Sequence, residues 1–157
     1  MDWKILEDIK RKRKDTAAKE MKERLSAYQK SEQDVSEQEA IHTQLLSSLQ
    51  QISQSPFSDN VPLSKEALNN WQQQVAAAKN KVNESANTIV KLKKTSQEHF
   101  SQWETAQSCY QSAHKKYEKC VEIRKEDDKH QFQLELLEAD KQLDEFLPKQ
   151  SQSNMQL

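Results

Sequence analysis

Between residues 68 and 120 the chain keeps one repeat: Leu68, Trp71, Val75, Ala78, Val82, Ser85, Ile89, Leu92, Ser96, His99, Trp103, Ala106, Tyr110, Ala113, Tyr117 and Cys120 follow one another at alternating steps of three and four. Most of these positions are apolar, and neither proline nor glycine interrupts them. An α-helix has about 3.6 residues per turn, so a repeat of about 3.5 holds one narrow seam toward a partner helix over a long distance. A compact domain has no use for so thin a stripe. The pattern therefore predicts a long helix covered by another helix.

The partner is upstream in the same chain. Ala18, Met21, Leu25, Tyr28, Glu32, Val35, Glu39, His42, Leu46 and Leu49 repeat at the same spacing and predict a first helix over about residues 3–52. Residues 53–63 hold Pro56 and Pro62 among serine, asparagine and aspartate and form the expected bend. Ser64 is the expected N-cap of a second helix over about residues 64–147, with Glu66 in its first turn. Pro148 is expected to end that helix ahead of a polar tail, residues 148–157. The expected fold is all-α: two long helices in one antiparallel coiled-coil hairpin, the second longer than the first. A register in which partner numbers sum to 117 sets Leu49 against Leu68, Leu46 against Trp71, Val35 against Val82 and Glu32 against Ser85. It ends the first helix opposite about His114, so about 33 residues of the second overhang, near 50 Å at 1.5 Å per residue. Beyond Val121 the overhang has its own apolar phase, Phe132, Leu136, Ala139, Leu143 and Phe146, which calls for a further partner. Trp3, Ile5, Leu6 and Ile9 lie off the main seam, so the end carrying the termini should be the looser one.

Composition narrows this reading. Of 157 residues 34% are apolar and 31% charged, with mean hydropathy −1.08, too little apolar surface for a thick core but enough for a seam. A formal net charge of −1 gives no global pull toward nucleic acid or membrane. The charge is nevertheless polarised: residues 1–24 hold nine basic and six acidic side chains, residues 126–147 two basic and eight acidic. Cys109 and Cys120 are eleven residues apart on one predicted helix, about 16 Å along its axis, too far for a mutual disulfide, and read as reduced thiols of a cytoplasmic protein. Residues 1–14 have no apolar core of a secretory signal, and no apolar run reaches the ~20 residues of a membrane span.

Little in the chain suggests chemistry. His42, His99, His114 and His130 are dispersed without metal-ligand spacing, and His42 and His99 fall on the seam, where a polar residue fixes register. A chain without glycine has no phosphate-binding glycine loop. Asp127 and Asp128 are adjacent, hence splayed about 100° apart on a helix. No enzyme activity, metal or cofactor is expected. Residues 10–14, all Lys or Arg, precede heptads as in a basic-region zipper, but Asp8 and Asp15 flank them. The seam also pairs better within the chain than with a second copy. No nucleic-acid partner is expected, and the chain alone should be monomeric.

Three segments carry a family resemblance. Leu68-Asn69-Asn70-Trp71-Gln72-Gln73-Gln74-Val75 resembles the start of the second helix of YscO, the type III secretion stalk family. Residues 113–128, AHKKYEKCVEIRKEDD, are similar to its basic-then-acidic segment, and Leu143-Asp144-Glu145-Phe146-Leu147 to its C-terminal end. The likeness covers about half of the chain and is weak in the first helix. It implies a coiled-coil hairpin like flagellar FliJ and the γ subunit of rotary ATPases. It further implies a cytoplasmic stalk in the pore of a hexameric export ATPase, promoting ring assembly and linking the ring to the export gate. Secretion chaperones and the needle-length regulator are further partners on that reading. Ile9, Arg11, Arg13, Phe132, Leu136 and Phe146 are then the expected ATPase contacts, and Phe57, Val61, Leu63, Leu68 and Trp71 the expected gate or chaperone contacts. A different class, a holdase or prefoldin-like chaperone, would grip clients with its tips, although prefoldin-type chains carry β-strands that no alternation predicts here. A coiled-coil dimer acting as a passive scaffold is the third reading.

Overall fold

A computed structural model describes residues 2–58 and 64–155. They form two helices, α1 (Trp3–Ser58) and α2 (Lys65–Met155), paired antiparallel with the second longer, and no strand occurs among the described residues. Each start is capped by the side chain before it. Asp2 Oδ1 accepts from the amide of Lys4 at 3.0 Å, and Ser64 Oγ accepts from the amide of Ala67 at 3.2 Å, so both satisfy amides that no helical carbonyl can reach. Glu66 lies in the first turn of α2, where the helix dipole favours it.

Helix α1 runs six residues past its expected end and passes through Pro56. Proline has no amide hydrogen, so the carbonyl of Ile52, one turn earlier, loses its helical donor. The Trp71 indole N–H of α2 donates to that carbonyl at 2.8 Å. The bond makes proline tolerable in the last turn of α1 and fixes where α2 begins to run back. The expected bend lies partly within α1, and residues 59–63 are outside the described residues. Helix α2 likewise continues past Pro148 to Met155. Its polar sequence there did not predict a helix.

The later bend moves the register. Trp71 meets Ile52, and Gln38 Nε2 donates to Ser85 Oγ at 3.1 Å, pairs whose numbers sum to 123 rather than 117. Six extra residues in α1 account for the whole change. The α2 seam stands as expected from Trp71 to Cys120, every position at least half-covered, while Leu68 is exposed. Three of the ten expected α1 seam positions are corrected, while Ala18 and Leu25 are covered as expected. Met21, Tyr28, Val35, His42 and Leu49 face α2, but Glu32, Glu39 and Leu46 are exposed; Ser31, Gln38, Leu45 and Ile52 are covered instead. Leu45 and Leu46 fit opposite frames of the same heptad, so apolar spacing alone could not choose between them.

The chain forms two contact units. In Lys19–Ser108 Ser31 and Ser85 are the buried residues, 7% and 4% exposed. Tyr28, Phe100 and Trp103 form an aromatic cluster, with centroids 5.2 Å (Tyr28 to Phe100), 6.4 Å (Tyr28 to Trp103) and 5.8 Å (Phe100 to Trp103) apart. Arg24 Nη1 donates to Gln102 at 3.0 Å, and Lys93 pairs with Glu39 at 3.4 Å across the groove between the helices. Long side chains lean toward the N-terminus of their own helix, so these contacts join residues offset beyond the backbone register.

In the other unit, Met1–Ala18 with Cys109–Leu157, Cys120, 6% exposed, is the one buried apolar residue among the described residues of the chain. Lys14 Nζ sits 4.4 Å over the Tyr117 ring, its stem covered and its charge facing the π cloud. Arg124 forms an ion pair with Glu7 of α1 and a second, at 3.4 Å, with Asp128 one turn along α2. Cover on α2 extends to Asp127, not His114, so the overhang is shorter than expected.

Candidate partner-binding surface

From residue 128 to residue 146 every side chain of α2 is exposed. That is nineteen residues, about 28 Å of helix with nothing across from it. Phe132 is 61% exposed, Leu136 49%, Leu143 57% and Phe146 55%. At 100° per residue these four and Ala139 fall within one arc about 80° wide, the stripe the sequence predicts. Carboxylates border it on both sides, Asp140 and Asp144 along one edge and Glu135 and Glu138 along the other. The surface is thus an apolar strip between acidic rails, suited to an apolar helix face with basic flanks.

Sequence reasoning missed two side chains here. Leu134 and Leu137, 47% and 65% exposed, lie on the face opposite the stripe. They break the three-four spacing of Phe132 and Leu136, so a search for one seam passes over them. A helical projection would have found them.

The other expected contacts are distributed as follows. Ile9 is 42% exposed, Arg13 is exposed, and Arg11 is exposed and paired with Asp8, all on α1 in the same unit as Phe132, Leu136 and Phe146. Neighbouring Ile5 is 60% exposed. Leu68 and Trp71 belong to the other unit. Leu68 is exposed, whereas Trp71 is half-covered and bonded to Ile52, so its indole closes the hairpin. The side chain of Phe57, and Val61 and Leu63, lie outside the described residues.

Reactive groups are scattered. No three His, Cys, Asp or Glu side chains among the described residues come close enough together to hold a metal ion. Cys109 is exposed and Cys120 buried, both as free thiols. His114 pairs with Glu118 at 2.8 Å and stacks on Tyr110 with centroids 5.8 Å apart, and both partners lie within α2. Tyr28 donates to Glu32, and this bond, then burial, then the nearby carboxylate charge raise its phenol above the usual 10.0. No helix, among the described residues, is long and apolar enough to cross a membrane.

Comparison with protein-family models, curated proteins and solved structures finds no match to this chain.

Proposed function

We propose that the chain is a stalk and coupling protein of a type III secretion export apparatus, working at the cytoplasmic face. On this reading the end carrying the α2 overhang enters the pore of the hexameric export ATPase, promotes ring assembly and links the ring to the export gate. The observation that carries it is the uncovered strip at Phe132, Leu136, Leu143 and Phe146, in a chain whose segments resemble that stalk family. An apolar strip of this size on a highly charged chain calls for a partner. Two helices lack six-fold symmetry, so they would press on only some subunits of a ring at once. Those contacts would favour closure of particular subunits, and nucleotide chemistry would belong to the ring.

The test is ATP hydrolysis and ring assembly of a co-expressed export ATPase with this chain. Phe132→Ser with Leu136→Ser, in a chain lacking residues 148–157, should abolish stimulation. Stimulation left unchanged would remove the assignment. Among the described residues of the expected gate contacts Leu68 is the exposed one, and unaltered gate binding by Phe57→Ser with Val61→Ser would count against that contact. Leu134 and Leu137, opposite the strip, favour a second reading as a holdase, because apolar groups on both sides of a helix could hold an unfolded client. Suppression of client aggregation with no ATPase present would select it.

A further inference from the structure

The geometry points to a second copy of this chain as the cover of the α2 overhang, each copy laying its overhang along the partner in a two-fold antiparallel pair. The inference goes beyond the stalk reading and does not depend on it. Three features of the unit Met1–Ala18 with Cys109–Leu157 support it.

The first is charge. Residues 128–146 carry six acidic and two basic side chains, whereas residues 1–18 and 109–127, the covered part of the same unit, carry eleven basic and eight acidic. Laid against its own kind alone, the overhang would set acid against acid. Laid against the covered part of another copy, it sets acid against base. The second is surface chemistry. At 100° per residue Ile5, Ile9, Lys12 and Arg13 share the face of α1 turned away from α2, and Ile5 and Ile9 are 60% and 42% exposed. Two isoleucines followed by two cations complement an apolar strip between carboxylates.

The third is length. The overhang continues to Met155, and its residues 128–146 alone are long enough to span the covered stretch of α2 in the same unit, residues 109–127. A two-fold axis near Asp127 and Asp128 lays each overhang along the other copy's covered stretch. Judged by the Glu7–Arg124 and Lys14–Tyr117 contacts, Phe132 and Leu136 then come within about a turn of Ile5 and Ile9 of the second copy. One overhang, about 28 Å by 10 Å, has a footprint of roughly 300 Å². Counted on both partners and repeated by the axis, this is about 1,200 Å², the lower bound of a specific interface, whereas a single contact would bury half as much. Reciprocity is what makes the contact large enough. The seam needs no second copy; the overhang does.

Sedimentation of the full chain at micromolar concentrations tests this. The expected species is twice 18.4 kDa, with association weakened about tenfold or more at high salt. Phe132→Glu with Leu136→Glu, and separately Lys12→Glu with Arg13→Glu, should return it to monomer with helical circular dichroism unchanged, since these positions are exposed. A spin label at Asp144→Cys, in a Cys109→Ser background, should report a separation between copies of about 50 Å, from 33 residues of axial offset. A monomer throughout, a dimer indifferent to either pair of substitutions, or a label separation near the width of two helices would each overturn the inference.

Discussion

Replacing Trp71 with phenylalanine removes one hydrogen-bond donor, with the part of the ring that carries it, and tests why the hairpin turns where it does. The indole N–H reaches the Ile52 carbonyl at 2.8 Å, and that carbonyl lacks a helical donor because residue 56 is proline. A hydrogen bond contributes about 0.5–1.5 kcal/mol net, and a buried acceptor left unpaired costs about 1–3 kcal/mol. Ile52 is only half-covered, so water can reach its carbonyl in part, and the expected loss is about 1 kcal/mol. For a chain of this length that corresponds to roughly 2–4 °C in Tm.

The loss alone would not identify its cause, because an indole does more than donate one hydrogen. Pro56→Ala supplies the control. Alanine restores the amide to Ile52, so in that background the indole is redundant there, and Trp71→Phe should cost about 1 kcal/mol less than in the native chain. Pro56→Ala by itself should stabilise the end of α1, by at most the ~3 kcal/mol that separates the two residues inside a helix. The assay is urea unfolding followed by far-ultraviolet circular dichroism for the four chains of the cycle, with hydrogen exchange over residues 49–56 to localise the change. Equal cost of Trp71→Phe in both backgrounds, within about 0.3 kcal/mol, would refute the claim that the indole stands in for the missing amide.

Arg124→Ala should destabilise its end of the hairpin by about 1–2 kcal/mol, because the Glu7 carboxylate is only 16% exposed and would lose its cation; faster amide exchange over residues 3–14 would show it, and unchanged exchange would refute it. Ser85→Leu should destabilise the chain by about 1–3 kcal/mol, read by urea unfolding, since Ser85 is 4% exposed and a leucine would overfill its site and displace Gln38; a rise would mean the seam has room there. Glu32→Gln should let the Tyr28 phenol ionise at lower pH, nearer 10.0, as read by absorbance near 295 nm with Tyr110 and Tyr117 replaced by phenylalanine. A folded-state phenol raised above its unfolded value contributes stability that is present below the unfolded value and lost as pH climbs through the folded one. The native chain should therefore lose more stability than Glu32→Gln on going above pH 10, and parallel alkaline curves would count against the Tyr28–Glu32 bond.

The architecture and α2 seam were legible in the sequence because both follow from spacing. Sixteen heptad positions without a glycine or proline leave few alternatives, and the covered positions of α2 match them from Trp71 onward. Register was harder to read. In α1 the doublet Leu45–Leu46 fits either of two frames, and Glu32 opposite Ser85 looked a sound polar pair. The observed frame instead joins Ser85 to Gln38, a side chain the apolar count ignores. The deciding fact lies outside the heptads, in a carbonyl freed by Pro56 and a tryptophan placed to reach it. Read locally, proline marks an end, and the expected bend, residues 53–63, is placed around it. Read with Trp71, it is compatible with more helix, and the six residues added to α1 move the partners of Trp71 and Ser85 by six residue numbers.

The uncovered strip was legible for a related reason, and its start was not. Phe132, Leu136, Leu143 and Phe146 stand out because the seam that ends at Cys120 cannot use them. The uncovered stretch begins later than expected, after Asp127, because contacts such as Glu7–Arg124 carry the cover past His114. Residues 115–127, including Arg124, were counted as free when they belong to the pair. What remains uncovered is shorter and chemically more uniform: four large apolar groups between two acidic rails, and two leucines behind them. Any partner, whether an ATPase pore, a client or a second copy, has to meet that strip with apolar and basic groups. The same condition is met on this chain by Ile5, Ile9, Lys12 and Arg13. Self-association and partner binding would then compete for one surface, so a partner that engages Phe132 and Leu136 should dissociate the dimer in proportion to its own occupancy.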